Sequence, residues 1–210
     1  TIGTGAFYDC DSLKEFKGKY ATDNGRCLIV DNTLIAYANK SGTEYTIPDS
    51  VTTIGGYAFC DCKSLTSITI PDSVTTIGNS TFYDCDSLTS VTIPDSVTTI
   101  GNYAFSDCGS LTSVTIGDSV TTIGNYAFNG CSSLTSVTIP DSVTTIGDKA
   151  FCWCDNLTSV YSKPTTPPSL GSEVFYFTNI RMVYVPSGCV EIYKQKWGYV
   201  CSNFEEYNFE

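Results

Sequence analysis

The sequence contains no histidine and few basic residues. Its 210 residues include 11 Lys and Arg against 22 Asp and Glu, which gives a formal net charge of −11. Without histidine the chain lacks the commonest acid–base side chain and any Ser-His or Cys-His pair, and it has no phosphate-binding loop. An acidic chain also lacks the basic patches through which proteins bind nucleic acids and anionic membranes. We therefore expect no enzyme activity, no catalytic residues and no nucleic-acid partner.

Long apolar runs are missing as well. No run approaches the ~20 residues that are needed to span a bilayer, so we expect no membrane span in this fragment. The sequence starts at Thr1, in the middle of a repeat, which indicates a mature or trimmed fragment. The lack of a signal sequence at this start is therefore uninformative.

The sequence consists largely of a repeat of 23 residues. Residues 88–110, LTSVTIPDSVTTIGNYAFSDCGS, recur almost unchanged from Leu111, and related copies start at Leu65, Leu134 and Leu157. A fixed period in this range is typical of a solenoid, because a single unit cannot bury its own apolar side and must stack on its neighbours.

Each copy predicts one turn of a coil. The L-x-x-L-x-L pattern of Leu88, Val91 and Ile93 is typical of the inner strand of a leucine-rich repeat. Pro94 ends this strand, since proline cannot donate to a ladder. A second extended pass follows, and residues 102–108 are predicted to close a short helical or 3₁₀ turn.

Stacked turns predict internal ladders of identical residues. One ladder contains Phe59, Phe82, Phe105, Phe128 and Phe151, and a second contains Cys62, Cys85, Cys108, Cys131 and Cys154. We assign Cys10 to the second ladder from the Phe7-x-x-Cys10 spacing. Stacked cysteines point the same way, so free structural thiols are favoured over disulfides. If a disulfide exists, the pair that we favour is Cys189 with Cys201.

The repeat resembles a known family. The pattern C-x-x-L-x-x-I-x-I-P-x-x-V-x-x-I-G-x-x-A-F-x-x-C, read from Cys62 to Cys85, is similar to the BspA-like, or treponemal-type, leucine-rich repeats. Five copies match across residues 47–161, with Thr81 replacing an alanine and Gly117 replacing a proline. The resemblance implies a leucine-rich repeat solenoid, a right-handed β-rich coil with parallel inner-face strands. It also implies a bacterial protein of the cell surface or extracellular space that attaches to host proteins or other cells.

We expect one domain with a solenoid over residues 1–161. An irregular repeat at residues 17–43 breaks the period, and the turn residues Asp31-Asn32 between two extended runs predict a hairpin at 26–37. Hairpin-bearing repeats of this kind are frequent in BspA-like chains, which supports a decorated coil over a domain boundary.

Residues 162–210 are interpreted as a C-terminal capping segment of the same domain. Residues 182–185 predict one last strand, and residues 190–197 predict a short amphipathic helix. A solenoid needs such a segment because its terminal coil would otherwise expose its apolar end. The Val-Pro and Tyr-x-x-x-x-Trp pieces also resemble the endings of BspA-like proteins.

An aspartate recurs after each strand, at Asp49, Asp72, Asp95, Asp118 and Asp141. Neighbours stacked about 5 Å apart in water repel by only ~0.8 kcal/mol, so a solvated, turn-capping row is favoured over calcium binding, which needs six to eight oxygen ligands. The two C-x-C pairs lack zinc-ligand spacing. We expect no metal and no cofactor.

Two surfaces are candidates for binding. The first is the polar side of the inner strands, with Ser67, Thr69, Ser90, Thr92, Ser113, Thr115, Ser136, Thr138 and Tyr161. The second is an outer edge that varies between copies, with Tyr57, Tyr83, Tyr103, Tyr126 and Trp153. Serine and threonine are also good solvated strand residues without any binding role, so the inner row has a purely structural explanation as well.

Three functional hypotheses remain open at this point. The leading one is a monomeric adhesion module that binds a host or cell-surface protein. A carbohydrate-binding module is the second, because uniform hydroxyls suit a repetitive ligand better than a varied epitope. The third is a structural spacer in a larger surface protein.

Overall fold

The computed structural model describes residues 2–8, 10, 13–22, 24–38 and 42–209, and it confirms the predicted solenoid. Strands in successive coils pair one repeat apart, as Val91 does with Val114. In chain order the elements are β1 (Ala21–Thr22), β2 (Cys27–Val30), β3 (Thr33–Tyr37), β4 (Glu44–Thr46), β5 (Thr53–Ile54), β6 (Ser67–Thr69), β7 (Thr76–Ile77), β8 (Ser90–Thr92), β9 (Thr99–Ile100), β10 (Ser113–Thr115), β11 (Thr122–Ile123), β12 (Ser136–Ile139), β13 (Thr145–Ile146), β14 (Ser159–Ser162), β15 (Ser169–Leu170), β16 (Met182–Val185), α1 (Val190–Trp197) and β17 (Phe204–Glu206).

Short parallel strands form two faces of the coil. The inner strand face consists of two four-stranded sheets, β10-β8-β6-β4 and β12-β14-β16-β17. The other face is one nine-stranded sheet. It starts with the antiparallel strands β1 and β2 and continues through β3, β5, β7, β9, β11, β13 and β15. In the inner strands β4, β6, β8 and β10 the central residue is buried and its neighbours are exposed, as in Ser90-Val91-Thr92. This is the period-two pattern of a sheet with one face in the core.

The third side of each coil is a chain of turns. In the coil at 101–108 the Ala104 N–H donates to Gly101 O at 3.3 Å, which is a 3₁₀-type bond, while the Phe105 N–H donates to Ala127 O of the next coil at 2.7 Å. Tyr103 and Asp107 hold φ angles of 57° and 60°. These left-handed residues interrupt the 3₁₀ pattern, so the predicted short helical turn is a series of separate turns.

A column of stacked rings fills the core. The predicted phenylalanines lie at 0% exposure, with neighbouring centroids 5.0 to 5.3 Å apart. Tyr37 extends the column at one end, and Phe175 extends it at the other, 5.5 Å from Phe151. Phe175 follows Phe151 by 24 residues, one more than the period, so repeat stacking continues past residue 161. A glycine such as Gly101 is needed beside this column because an added Cβ would lie 2.6 Å from the Gly78 carbonyl carbon.

The cysteine ladder consists of free thiols, as predicted. Four of its sulfurs, those of Cys85, Cys108, Cys131 and Cys154, reach the carbonyl of a phenylalanine in the preceding coil, as Cys108 Sγ does with Phe82 O at 3.2 Å. The assignment of Cys10 to this ladder is wrong, because Cys10 is exposed and Phe7 packs at 5.1 Å on Phe16 in a separate small core.

The favoured pair Cys189 and Cys201 does not form a disulfide. Both thiols are free, and each contacts its own neighbouring backbone. Cys189 Sγ lies 3.8 Å from Ser187 O, and Cys201 Sγ lies 3.5 Å from Asn203 O.

The N-terminal hairpin agrees with its prediction. Strands β2 and β3 pair antiparallel around Asp31 and Asn32, whose φ angles of 47° and 59° are those of a type I′ turn. Leu34 of this hairpin pairs with Ile54, so the hairpin joins the nine-stranded sheet.

The C-terminal segment covers the last coil. Helix α1 has the predicted bounds, and its Tyr193 and Trp197 are buried, with Trp197 Nε1 donating to Pro168 O at 3.0 Å. The strand at 182–185 is not the last one, since β17 pairs parallel with it after the helix. Among the described residues, no helix is long and apolar enough to cross a membrane.

Candidate binding surface

The predicted hydroxyl row lies together on the inner strand face. All eight of its Ser and Thr residues are exposed, and Tyr161 is half-buried in the same register as Thr138. Within the part of the chain that the structure describes, none of these eight hydroxyls forms a hydrogen bond to protein. They are therefore available to a partner.

A second set of hydroxyls, those of Thr66, Thr89, Thr112 and Thr158, lies one residue before an inner strand and holds the coils together. Thr89 Oγ1 donates to Thr66 O at 3.2 Å, and Thr112 Oγ1 donates to Thr89 O at 3.0 Å. A side-chain hydroxyl is thus structural at one position and available at the next. Sequence reasoning did not separate the two sets, because both consist of small hydroxyl side chains at neighbouring positions of one repeat.

An aromatic wall closes one end of the inner strand face. Tyr161 and Tyr184 stack at 4.6 Å, and Tyr207 meets their rings edge-on at 5.2 and 5.7 Å. Phe209 packs on Tyr207 at 4.9 Å. These four residues are called the aromatic wall below. Burial, together with Tyr184 and Tyr207, raises the pKa of Tyr161, so its phenol stays neutral over the ordinary pH range.

The tail that carries half of this wall is anchored by hydrogen bonds. Glu206 accepts from the Gly188 N–H and the Ser187 hydroxyl, both at 2.8 Å, and these bonds lower the pKa of the Glu206 carboxyl. The Tyr207 N–H donates to Val185 O at 2.8 Å. Tyr184 could have been found from sequence, one period after Tyr161, whereas the place of Tyr207 depends on the return of the chain after α1.

A groove of about 750 Å³ runs from the aromatic wall along the inner strand face. It is called the inner groove. Its polar lining consists of Asp72, Thr92, Asp95, Thr115, Asp118, Thr138, Lys163 and Asn208, and its aromatic lining consists of Tyr161, Tyr207 and Phe209.

The aspartate row borders this groove. All five predicted aspartates are exposed. Asp95 Oδ1 accepts from the Asp118 N–H at 2.8 Å, and Lys163 Nζ lies 3.7 Å from Asp118 Oδ1. Over the described residues, no group of three or more His, Cys, Asp or Glu side chains is arranged to hold a metal ion.

The outer edge is divided into separate aromatic contacts. Tyr103 and Tyr126 stack at 4.6 Å, Tyr57 meets Tyr8 edge-on at 5.0 Å, and Trp153 belongs to another cluster. Tyr83 is half-buried, and burial followed by the nearby Asp107 raises its pKa. The structure therefore does not bring the five predicted outer-edge residues into one site.

Trp153 stacks on a residue that sequence reasoning missed. Its ring lies 3.9 Å from Phe177, which contacts Tyr176, and the three side chains are 47 to 51% exposed. Trp153 and Phe177 hold φ angles of 61° and 54°, which are unfavourable for bulky residues. Their signal was present in sequence, since each follows a column phenylalanine by two residues.

The repeat matches an established family over most of its length. A profile described as BspA type Leucine rich repeat region matches residues 35–158 and 75–205, with 6 copies. The chain belongs to the BspA-type leucine-rich repeat family.

Solved structures of several bacterial proteins have a similar fold. A leucine-rich repeat protein from Eubacterium ventriosum is 28% identical with a TM-score of 0.67, over 86% of this chain and 55% of its own, so the chain spans about half of that protein. The T. pallidum Leucine Rich Repeat protein is 26% identical with a TM-score of 0.56, over 83% of this chain and 73% of its own. The pneumococcal vaccine antigen PcpA is similar in fold alone. It is 16% identical with a TM-score of 0.55, over 89% of this chain and 49% of its own. No curated protein sequence shows significant similarity to the chain.

Membership of the BspA-type family indicates a protein-binding repeat module, since solenoids present extended surfaces to large partners. The inner strand face is an extended surface of this kind, whereas the aromatic residues of the outer edge lie in separate contacts. The binding role of the individual residues on either surface stays a prediction.

Proposed function

We propose that this chain is a non-enzymatic, monomeric adhesion module of the cell surface or extracellular space. It binds a host or cell-surface protein through the inner strand face. The observation that carries the proposal is the row of eight exposed hydroxyls that form no hydrogen bond within the described residues. They lie next to threonines whose hydroxyls bond one coil to the next. Family membership and the extended parallel face support the same function.

The proposal is tested by binding to extracellular-matrix proteins and host cells. We expect saturable binding of the wild-type chain to at least one of them. The double variant Thr92→Lys with Thr115→Lys places two bulky charges on the inner strand face and is expected to weaken this binding about tenfold or more, as for truncated or blocked interface centres.

The matched control is Thr76→Lys with Thr99→Lys. These threonines are also exposed strand residues of adjacent coils, but they lie in the nine-stranded sheet. Wild-type affinity of this control is expected. Binding to none of the tested proteins or cells would contradict the proposal, and loss of binding only in the control pair would move the site to the other sheet.

A glycan is the second candidate partner. The identical Ser and Thr positions along the inner strand face, with Tyr161 in the same register, favour a repetitive ligand. A glycan array separates the two candidates, because the Thr92→Lys and Thr115→Lys variant should abolish a glycan signal that depends on this row.

A further inference from the structure

We propose that the inner groove binds an extended, lysine- or arginine-rich segment of the protein partner. This inference rests on the proposed function and names the chemistry of the partner at that surface. It starts from the shape of the groove, which no segment of the described chain fills.

The groove selects an extended chain. Thr92, Thr115, Thr138 and Tyr161 occupy the same position of the repeat in four successive coils and all line the groove, so they form a row along the solenoid. With coils about 4.8 Å apart the row is roughly 14 Å long, which matches about four residues of extended peptide. The aromatic wall stops the row at Tyr161 and Tyr207.

The charge of the groove selects a basic segment. Asp72, Asp95 and Asp118 line it, Asp141 follows in the adjoining recess, and Lys163 is the basic residue of the lining. Lys163 lies at 3.7 Å from one of these carboxylates, which leaves an excess of negative charge. A cationic segment is therefore attracted on approach and held in register by charge pairs.

The aromatic wall adds a second mode of recognition for the same cations. Lysine and arginine side chains bind the faces of tyrosine rings. The chain itself contains such a contact, in which the Arg26 guanidinium lies 4.8 Å from the centre of the Tyr45 ring. Carboxylates beside tyrosines thus fit a basic peptide better than an acidic or neutral one.

The test measures fluorescence anisotropy of labelled peptides with the intact chain. The probes are a peptide of alternating arginine and serine, its counterpart with glutamate for arginine, and a neutral glucan oligosaccharide of similar length. We expect saturable binding of the arginine peptide alone, weakened at least about tenfold by high salt because exposed charges are screened.

The double variant Asp95→Asn with Asp118→Asn should weaken arginine-peptide binding about tenfold. Asparagine at position 95 keeps the acceptor for the Asp118 N–H, so the turn is preserved. The control variant Asp86→Asn with Asp155→Asn changes net charge equally at exposed sites outside the groove lining and should bind as the wild type does. Thermal unfolding of each variant checks that the fold is intact.

Lys163→Gln provides a gain of affinity. It removes the cation that competes for Asp118 and should tighten arginine-peptide binding about twofold or more. Equal weakening by both aspartate double variants would overturn the inference, since it would show a response to net charge alone.

Failure of this inference and failure of the proposed function give different results. If the wild-type chain binds a matrix protein or cell through the inner strand face but binds no arginine peptide, the inference is wrong and the proposed function stands. If only the glucan binds, the partner is a glycan and the inference is overturned. If no protein, cell or peptide binds, both fail.

Discussion

At the residue scale, the buried thiols of the ladder donate hydrogen bonds to backbone carbonyls of the preceding coil. Cys154 Sγ contacts Phe128 O at 3.2 Å, and burial raises the pKa of the Cys154 thiol to about 12. Burial likewise raises the pKa of Cys85, Cys108 and Cys131. These residues remain neutral thiols in the folded chain and are poor nucleophiles, because the thiolate is the reactive form.

The raised pKa values predict a loss of stability at alkaline pH. Above pH 9 a thiol ionises in the unfolded chain but keeps its proton in the fold. The contribution of Cys154 to the free energy of unfolding is therefore complete below about pH 9. Between pH 9 and about 12 this free energy falls by about 1.4 kcal/mol per pH unit. Urea unfolding under reducing conditions, at neutral pH and near pH 10, measures this slope. Cys154→Ala should have a shallower slope, and an unchanged slope would contradict the prediction.

At the scale of the element, the end of an inner strand shows how closely coils approach. Pro94 and Pro140 end their strands, whereas Gly117 occupies the same place between them. A Cβ at Gly117 would lie 2.6 Å from the Pro94 carbonyl carbon and 2.8 Å from the Asp95 nitrogen. The exception to the repeat is therefore a packing requirement of this coil.

Restoring the repeat with Gly117→Pro should consequently destabilise the chain. A consensus substitution is often stabilising, but here the ring would overlap the preceding coil, and such overpacking costs typically 1–3 kcal/mol. Gly117→Ala should show part of the loss. Gly3→Ala serves as the control, because an added Cβ there meets nothing within 4 Å. Urea denaturation measures the free energies of unfolding, and a Gly117→Pro variant more stable than the wild type would refute this account.

For the molecule as a whole, we propose that residues 162–210 form a capping segment of the same domain as the coils. Tyr193 and Trp197 belong to the same buried cluster as the phenylalanine column, and Trp197 lies 6.1 Å from Phe175. In a solenoid each coil contacts its neighbours alone, so loss of a cap weakens the adjacent end first.

Trp197→Ala should therefore destabilise the chain unevenly. Trp197 is 1% exposed, and removal of a buried aromatic side chain costs about 3–5 kcal/mol. Hydrogen exchange should show loss of protection in the coils after residue 134 before those around residues 65–111. Tyr199→Ala is the control, because Tyr199 is 74% exposed. Uniform loss over all coils, or an equal effect of both variants, would count against a capping role.

Local signals in the sequence were sufficient for most elements and insufficient for the site. The turn at Asp31-Asn32 and the helix Val190–Trp197 were predictable, because turn chemistry and helical spacing act over a few neighbouring residues. The coil around Phe175 escaped notice because one extra residue shifts its register. The aromatic wall could not be predicted, since Tyr207 reaches Tyr161 only after the chain returns behind the helix.

The amino-acid sequence alone determined the solenoid, its period and its ladder of buried rings, because each repeat places the same apolar residues at the same step and must stack to bury them. The tertiary structure alone decided which exposed threonines bond between coils, which hydroxyls stay available, and where aromatic and acidic side chains meet in one groove. The physical reason is that burial depends on a pattern repeated along the chain, whereas a binding surface depends on residues brought together across coils and from the tail.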